Sequence, residues 1–159
     1  MLIIADSSAL ISLAVCEHLH LLEQLYGEVK VPQAVFSEVV QEDKPQAEIL
    51  RSYLQNKVVD LGSAEPLLDL GELGRGELEA MALFRKLRAD LLLLDDRRAR
   101  RVANLNEIPI IGSLGVLLFA KRQGVIPSVK PLINTLEASG IHIGKPLIQK
   151  ILLLAGEDI

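Results

Sequence analysis

The sequence predicts an α/β protein in which a parallel sheet of about five strands lies between layers of helices. Two apolar runs, Leu2-Ile3-Ile4-Ala5 and Leu91-Leu92-Leu93-Leu94, have strand length and no polar alternation, the pattern of strands buried on both faces. Each run ends in acid, Asp6 in the first and Asp95-Asp96 in the second. Segments with helical spacing separate the strand candidates, and strands alternating with helices require right-handed crossovers and a parallel sheet.

Residues 2 to 6 read as the first strand, and Ser7 or Ser8 can cap a helix carrying Ala9, Leu10, Leu13 and Ala14. A second helix over 18 to 26 stops near Gly27. Glu28 to Val31 is a short strand, and Pro32 suits the first turn of a helix running to about Glu42. Pro45 opens a helix through Leu54, Val58 to Leu61 is a third strand, and Gly62 to Gly74 is a loop with short helical turns. Gly76 precedes a helix with Ala80, Met81, Leu83, Phe84 and Leu87. A strand at 90 to 95, a helix at 97 to 105, a strand at 108 to 111 and a helix at 114 to 123 follow. Beyond Pro127 the chain turns helical over about 129 to 138, Gly140 stops that helix, and a last one follows Pro146. The reading is one domain over 1–159, with a C-terminal helical segment from about 128.

With 159 residues, half of them hydrophobic, the chain can bury one substantial core, and its few aromatics make that core Leu, Ile, Val and Ala. Cys16 stands alone, which excludes an internal disulfide. No charged-then-apolar leader and no apolar run near 18 residues is present, so the expectation is a cytoplasmic protein with no membrane partner. A net charge of −4 argues against coating nucleic acid by bulk electrostatics, which needs a broad cationic surface. A nuclease with an acidic cleft beside a local basic strip remains compatible, and Arg97, Arg98, Arg100 and Arg101 form such a strip.

In a parallel sheet, ligands gather beyond the carboxyl ends of the strands where strand order reverses, the edge at which Asp6 and Asp95-Asp96 emerge. Glu38 follows Ala34 and Val35 at i−4 and i−3 and borders the apolar face of its helix, away from free solvent. Glu77 has Ala80, Met81 and Phe84 at i+3, i+4 and i+7, at the inner end of a buried stripe. Each alone has a bland explanation: Asp6 and Asp96 suit N-caps, and Glu77 suits a first helical turn. Together they would repel, by roughly 4 kcal/mol per pair about 4 Å apart at an effective dielectric of 20, so a cation is needed. Hard oxygen ligands without Cys or His select Mg²⁺ or Mn²⁺, which suits hydrolysis of a phosphodiester.

Five segments, IIADSSALISL, VPQAVFSEVV, LGRGELEAMAL, ADLLLLDDRRARRVA and IPIIGSLGVLLFAKRQGVIPSVKPLI, resemble in order and spacing the PIN-domain family, which includes VapC-type toxins of prokaryotic toxin–antitoxin pairs. The resemblance implies a PIN-like fold and a Mg²⁺- or Mn²⁺-dependent endoribonuclease. Its acidic positions fall on Asp6, Glu38, Glu77 and Asp96, with Asp95 as second choice for the fourth and as a further metal ligand. Ser8 matches the family's small hydroxyl residue near the first aspartate, as a holder of substrate or metal-bound water. The chain departs from the pattern where Leu94 replaces a Thr and where Glu77 replaces the commoner Asp. The implied partners are RNA, an antitoxin and a second copy of the chain.

Arg97, Arg100 and Arg101 share one face of the helix after Asp96, opposite apolar Ala99, Val102 and Ala103, and are candidates to hold RNA phosphates. Their alternative role is a solvated basic face. Cys16, His18 and His20 lack a fourth ligand and a zinc-finger spacing, so packing and solvent exposure explain them. Gly74-Arg75-Gly76 is too short for a phosphate loop and supplies a turn and helix start. Leu147, Ile148, Ile151, Leu152, Leu153 and Leu154 make the last helix apolar on more than one side, which calls for cover by the core or by a second chain. Two other functions compete: a non-catalytic PIN-like module whose acidic cleft docks a basic partner, and a haloacid-dehalogenase-type phosphatase. The phosphatase needs a second aspartate two residues after the first, where this chain has Ser8.

Overall fold

A computed structural model describes residues 1–62, 71 and 73–158. Its strands are β1 (Leu2–Ala5), β2 (Glu28–Pro32), β3 (Val58–Val59), β4 (Leu91–Leu93) and β5 (Ile110–Ile111). They pair, all in parallel, in the order β3-β2-β1-β4-β5. Among the described residues the helices are α1 (Ser7–Val15), α2 (Leu21–Tyr26), α3 (Gln33–Val39), α4 (Ala47–Leu54) and α5 (Arg75–Leu87), then α6 (Arg97–Leu105), α7 (Ser113–Arg122), α8 (Lys130–Ala138) and α9 (Lys145–Ala155). The result is the three-layer α/β/α arrangement that the alternation of strands and helices predicts. None of these helices is long and apolar enough to cross a membrane.

Burial explains the two apolar runs: Ile3, Ile4, Leu92 and Leu93 are wholly inaccessible because helices cover both sides of the central strands. The chain leaves β1 for β2 and β3 on one side, then returns to place β4 and β5 on the other, so strand order reverses between β1 and β4. The register sets Ala5 opposite Leu93, and the Asp6 N–H donates to Leu93 O at 2.9 Å. Asp6 and the acids after β4 therefore leave the sheet at the same edge, beside the crevice that such a reversal creates.

Several boundaries differ from the sequence-based expectation. Pro32 is not in the first helical turn; it closes β2 opposite Val59 and stands before α3 with an extended backbone, φ −78° and ψ 163°. The missing N–H is as harmless there as at the first helical residue. Helix α3 then ends at Val39 and not near Glu42, since Val40 has left helical geometry at φ −98° and ψ 8°. Helix α2 begins at Leu21 and not at 18, because Glu17, in the left-handed region at φ 59°, turns the chain after α1. A turn separates Pro45 from α4, and β3 and β5 are two residues each, as suits strands at the sheet's edges. The helical turns expected within 62 to 74 fall largely on 63–70 and 72, outside the described residues.

Helix α9 is covered only in part. Ile151 and Leu152 are buried, whereas Leu147, Leu153 and Leu154 are exposed, with Leu153 72% accessible. The core takes one stripe, and six apolar residues occupy more of the circumference than one stripe can bury.

Past α9, Glu157 folds back onto the start of α8. Its carboxylate accepts the N–H groups of Val129 at 2.7 Å and Lys130 at 2.9 Å, and Lys121 Nζ at 2.9 Å. Burial opposes ionisation of Glu157, but the N–H groups of Lys130 and Val129 and the Lys121 ammonium outweigh it and hold its pKa below the usual glutamate value. A lowered folded-state pKa contributes stability that is present above the unfolded glutamate pKa and lost as pH falls through the folded one. Glu157→Gln should therefore cost roughly 1 to 2 kcal/mol near neutrality. That gap to the wild type should close in urea melts carried into the acid range.

Candidate active site

Asp6 occupies the N-cap position of α1 but makes no side-chain capping bond. It is 3% exposed, and its Oδ1 is buried with no hydrogen-bond partner among the described residues. Burial pushes the carboxyl pKa up to about 7; the Ser7 N–H opposes the rise, and the charges of Glu77, Glu38 and Asp96 add to it. Those four carboxylates share one electrostatic neighbourhood, assembled from β1, α3, α5 and the β4–α6 junction.

Each of the other three acids is held by a local bond. Glu38 sits near the end of α3, with Val35 and Val39 taking the buried face. Its side chain is exposed, where the sequence reading placed it away from free solvent. The short helix leaves its flank open, yet Glu38 Oε2 accepts a 2.5 Å hydrogen bond from Ser7 Oγ. Glu77 is the third residue of α5 and reaches back to the Gly74 N–H at 3.4 Å, half of a capping box whose other half a glycine cannot supply. Burial raises the Glu77 pKa; the Gly74 N–H works against that, Asp96 and Glu38 reinforce it, and Arg98 counters it. Asp96 caps α6, with Oδ2 accepting the Ala99 N–H at 3.0 Å.

Hydrogen bonding distinguishes the surroundings of Asp95 from those of Asp96. Both oxygens of Asp95 are engaged by Ser113, Oδ1 by its N–H and Oδ2 by its Oγ, each at 2.7 Å. Asp95 thus caps α7 from outside, and Asp96 is the member of the pair whose charge acts on Asp6 and Glu77. Ser8 lies on α1 with its Oγ buried and without a partner among the described residues; the serine that touches a site carboxylate is its neighbour Ser7. Arg97, Arg100 and Arg101 line a cleft of about 1280 Å³ that also includes Ser8, Asp95 and Asp96. Arg98, left outside the expected substrate-binding set, is the arginine whose charge bears on Glu77.

Two glycines make this packing feasible. A Cβ on Gly76 would lie 2.9 Å from Glu38 Oε2 and 3.9 Å from Asp6 Oδ1, so a side chain there would force the Glu38 carboxylate to move. A Cβ on Gly112 would lie 2.8 Å from Arg100 Nη1 and 2.9 Å from Asp95 Oδ1, where α7 meets the β4–α6 turn. Sequence signals for these roles are weak: Gly76 reads as a helix start, and nothing along the chain connects Ser7 with Glu38.

Cys16 is buried, with Sγ donating to Ser12 O at 3.3 Å, and His18 and His20 stack with ring centroids 5.3 Å apart. Among the described residues, no three His, Cys, Asp or Glu side chains stand close enough as placed to hold a metal ion. The donor chemistry at Asp6 nevertheless fits a hard cation: a buried carboxylate oxygen lacks a partner among the described residues, and the like charges around it favour a proton or a cation.

Residues 2–157 match a family model described as a PIN domain. No curated protein matches the chain.

A carboxyl raised in the folded state binds its proton more tightly there than in the unfolded chain, so its contribution to stability declines as pH rises between the two pKa values. Metal-free protein should lose stability from about pH 3.8 to about pH 7 on account of Asp6. Asp6→Asn should flatten that limb in denaturation curves measured in EDTA, and a limb of unchanged slope would refute the buried, crowded state of Asp6.

Proposed function

The chain belongs to the PIN-domain family, a nuclease-type fold, and we propose that it is a metal-dependent ribonuclease hydrolysing RNA phosphodiester bonds. The observation that carries this reading is Asp6: buried, with Oδ1 unpartnered among the described residues, and surrounded by the charges of Glu77, Glu38 and Asp96. A rival reading has the acidic cleft docking a basic segment of another protein. Small ions suit the site better, because a carboxylate 3% exposed leaves little room for a lysine or arginine head group.

Asp6 and Asp96 would hold Mg²⁺ or Mn²⁺, with Glu38 and Glu77 completing the acidic wall. When bound, such an ion lowers the pKa of its water and steadies charge on the scissile phosphate. Ser7 orients Glu38 through the Oγ to Oε2 bond, and the Gly74 N–H orients Glu77. The Ala99 N–H does the same for Asp96, and each of these three bonds engages one oxygen of its carboxylate. Arg98 beside Glu77 supplies positive charge at the edge of the site, where a substrate phosphate would approach.

RNA in preference to DNA, and a place as the toxin of a toxin–antitoxin pair, rest on the sequence resemblance to VapC-type proteins. A small antitoxin is one proposed partner and a second copy of the chain another; the exposed Leu147, Leu153 and Leu154 of α9 support partner binding in general. Growth arrest on expression of the chain, relieved by a small protein encoded beside it, tests the toxin role.

Purified protein should cleave RNA with Mg²⁺ or Mn²⁺ and stop in excess EDTA, and Asp6→Asn should abolish cleavage while keeping the fold, as judged by circular dichroism. Cleavage by Asp6→Asn at the wild-type rate would end the proposal. Gly76→Ala should separate stability from activity: alanine favours the helix by up to about 1 kcal/mol, while its methyl group displaces Glu38 from Ser7. The expected result is a melting temperature unchanged or higher, with cleavage reduced at least about tenfold, about 1.4 kcal/mol in transition-state stabilisation.

A further inference from the structure

Of the four site carboxylates, Asp96 alone lines the cleft that α6 borders. The cleft passes along the exposed face of α6 to His142, in the segment joining α8 to α9, and Lys150, on α9. Four cationic side chains, Arg97, Arg100, Arg101 and Lys150, line it against two carboxylates, Asp95 and Asp96. This is a local excess of positive charge in a chain whose net charge is −4. The acids lie at the end nearest the site, and Asp95 is already bonded to Ser113. Those bonds also occupy the first N–H of α7. Arg100 donates to Leu94 O at 3.3 Å, while Arg97, Arg101, His142 and Lys150 are exposed.

We infer that this cleft is an extended subsite for a single-stranded polyanion, with Lys150 and His142 of the C-terminal segment gripping phosphates several nucleotides away from the one at the carboxylates. The inference rests on the ribonuclease reading for the identity of the strand as RNA. Its geometry favours RNA over an acidic polypeptide because the cleft opens onto Asp96, so a strand lying in it carries a phosphate into the site. Apolar Ile141, Ile143 and Leu147 line the same far end and offer surface to bases, while the cations meet the phosphates.

Fluorescence anisotropy on the full chain in EDTA, with labelled single-stranded RNAs of about four and about twelve nucleotides, tests the subsite without turnover. Lys150→Ala should weaken the longer RNA about three- to tenfold and lower the slope of log affinity against log salt by about 0.7, as one lost phosphate contact predicts for a single strand. Lys150→Glu should weaken it further, His142→Ala should act in the same direction, and binding of the short RNA should stay as in the wild type. Wild-type affinity and salt slope for the longer RNA in both Lys150 variants would overturn the inference. So would polyglutamate that displaces the RNA from the wild type at matched charge but not from Lys150→Glu, which would assign the cleft to an acidic protein segment. Lys150-dependent binding without cleavage on adding either Mg²⁺ or Mn²⁺ would keep the subsite and reject the ribonuclease reading. Cleavage of the longer RNA, with its affinity unchanged in both Lys150 variants, would do the reverse.

Discussion

The parallel register of β1 against β4 is the constraint on which the rest of the site depends. Because Ala5 lies opposite Leu93, Asp6 and Asp96 emerge from the same edge of the sheet, at the reversal of strand order. Burial removes water from Asp6, and helices α3 and α5 bring the charges of Glu38 and Glu77 alongside it. A proton or a cation must answer that charge. The pocket is consequently a property of the whole sheet and its flanking helices, since no one element carries more than one of its acids.

Small residues let those helices come close. Gly76 allows the first turn of α5 to lie against Glu38 and Asp6, and Gly112 allows α7 to approach Asp95 and Arg100. Serines then fasten what the glycines admit: Ser7 holds Glu38, and Ser113 holds both oxygens of Asp95. The adjacent aspartates after β4 divide their work as a result. Asp95 ties the turn to α7, and Asp96 caps α6 while contributing its charge to the pocket.

The C-terminal segment shows a different division. Glu157 gathers Lys121 and the first N–H groups of α8 into one bonded cluster, which returns the chain end to the body of the protein. Within the same segment Ile151 and Leu152 join the core, while Leu147 and Lys150 border the cleft and Leu153 faces solvent. One helix thus serves the core on one side and presents a mixed apolar and cationic surface on the other.

The α/β class and the parallel sheet were legible because a strand buried on both faces cannot hide its composition: Leu2 to Ala5 and Leu91 to Leu94 are apolar throughout. The positions of Asp6 and Asp96 at strand ends followed from the same pattern. Helix boundaries around Pro32 and Glu42 did not, since proline is equally at home closing a strand and opening a helix. Ser7 and Ser8 are indistinguishable by type, and only the approach of α3 selects Ser7 as the partner of Glu38. Asp95 and Asp96 differ by one position, and only the placement of α7 shows that Ser113 bonds Asp95. Periodicity and burial are written along the chain and can be read there. Which hydroxyl meets which carboxylate depends on contacts between residues 31 or 18 positions apart, and those distances exist only once the sheet has brought the helices together.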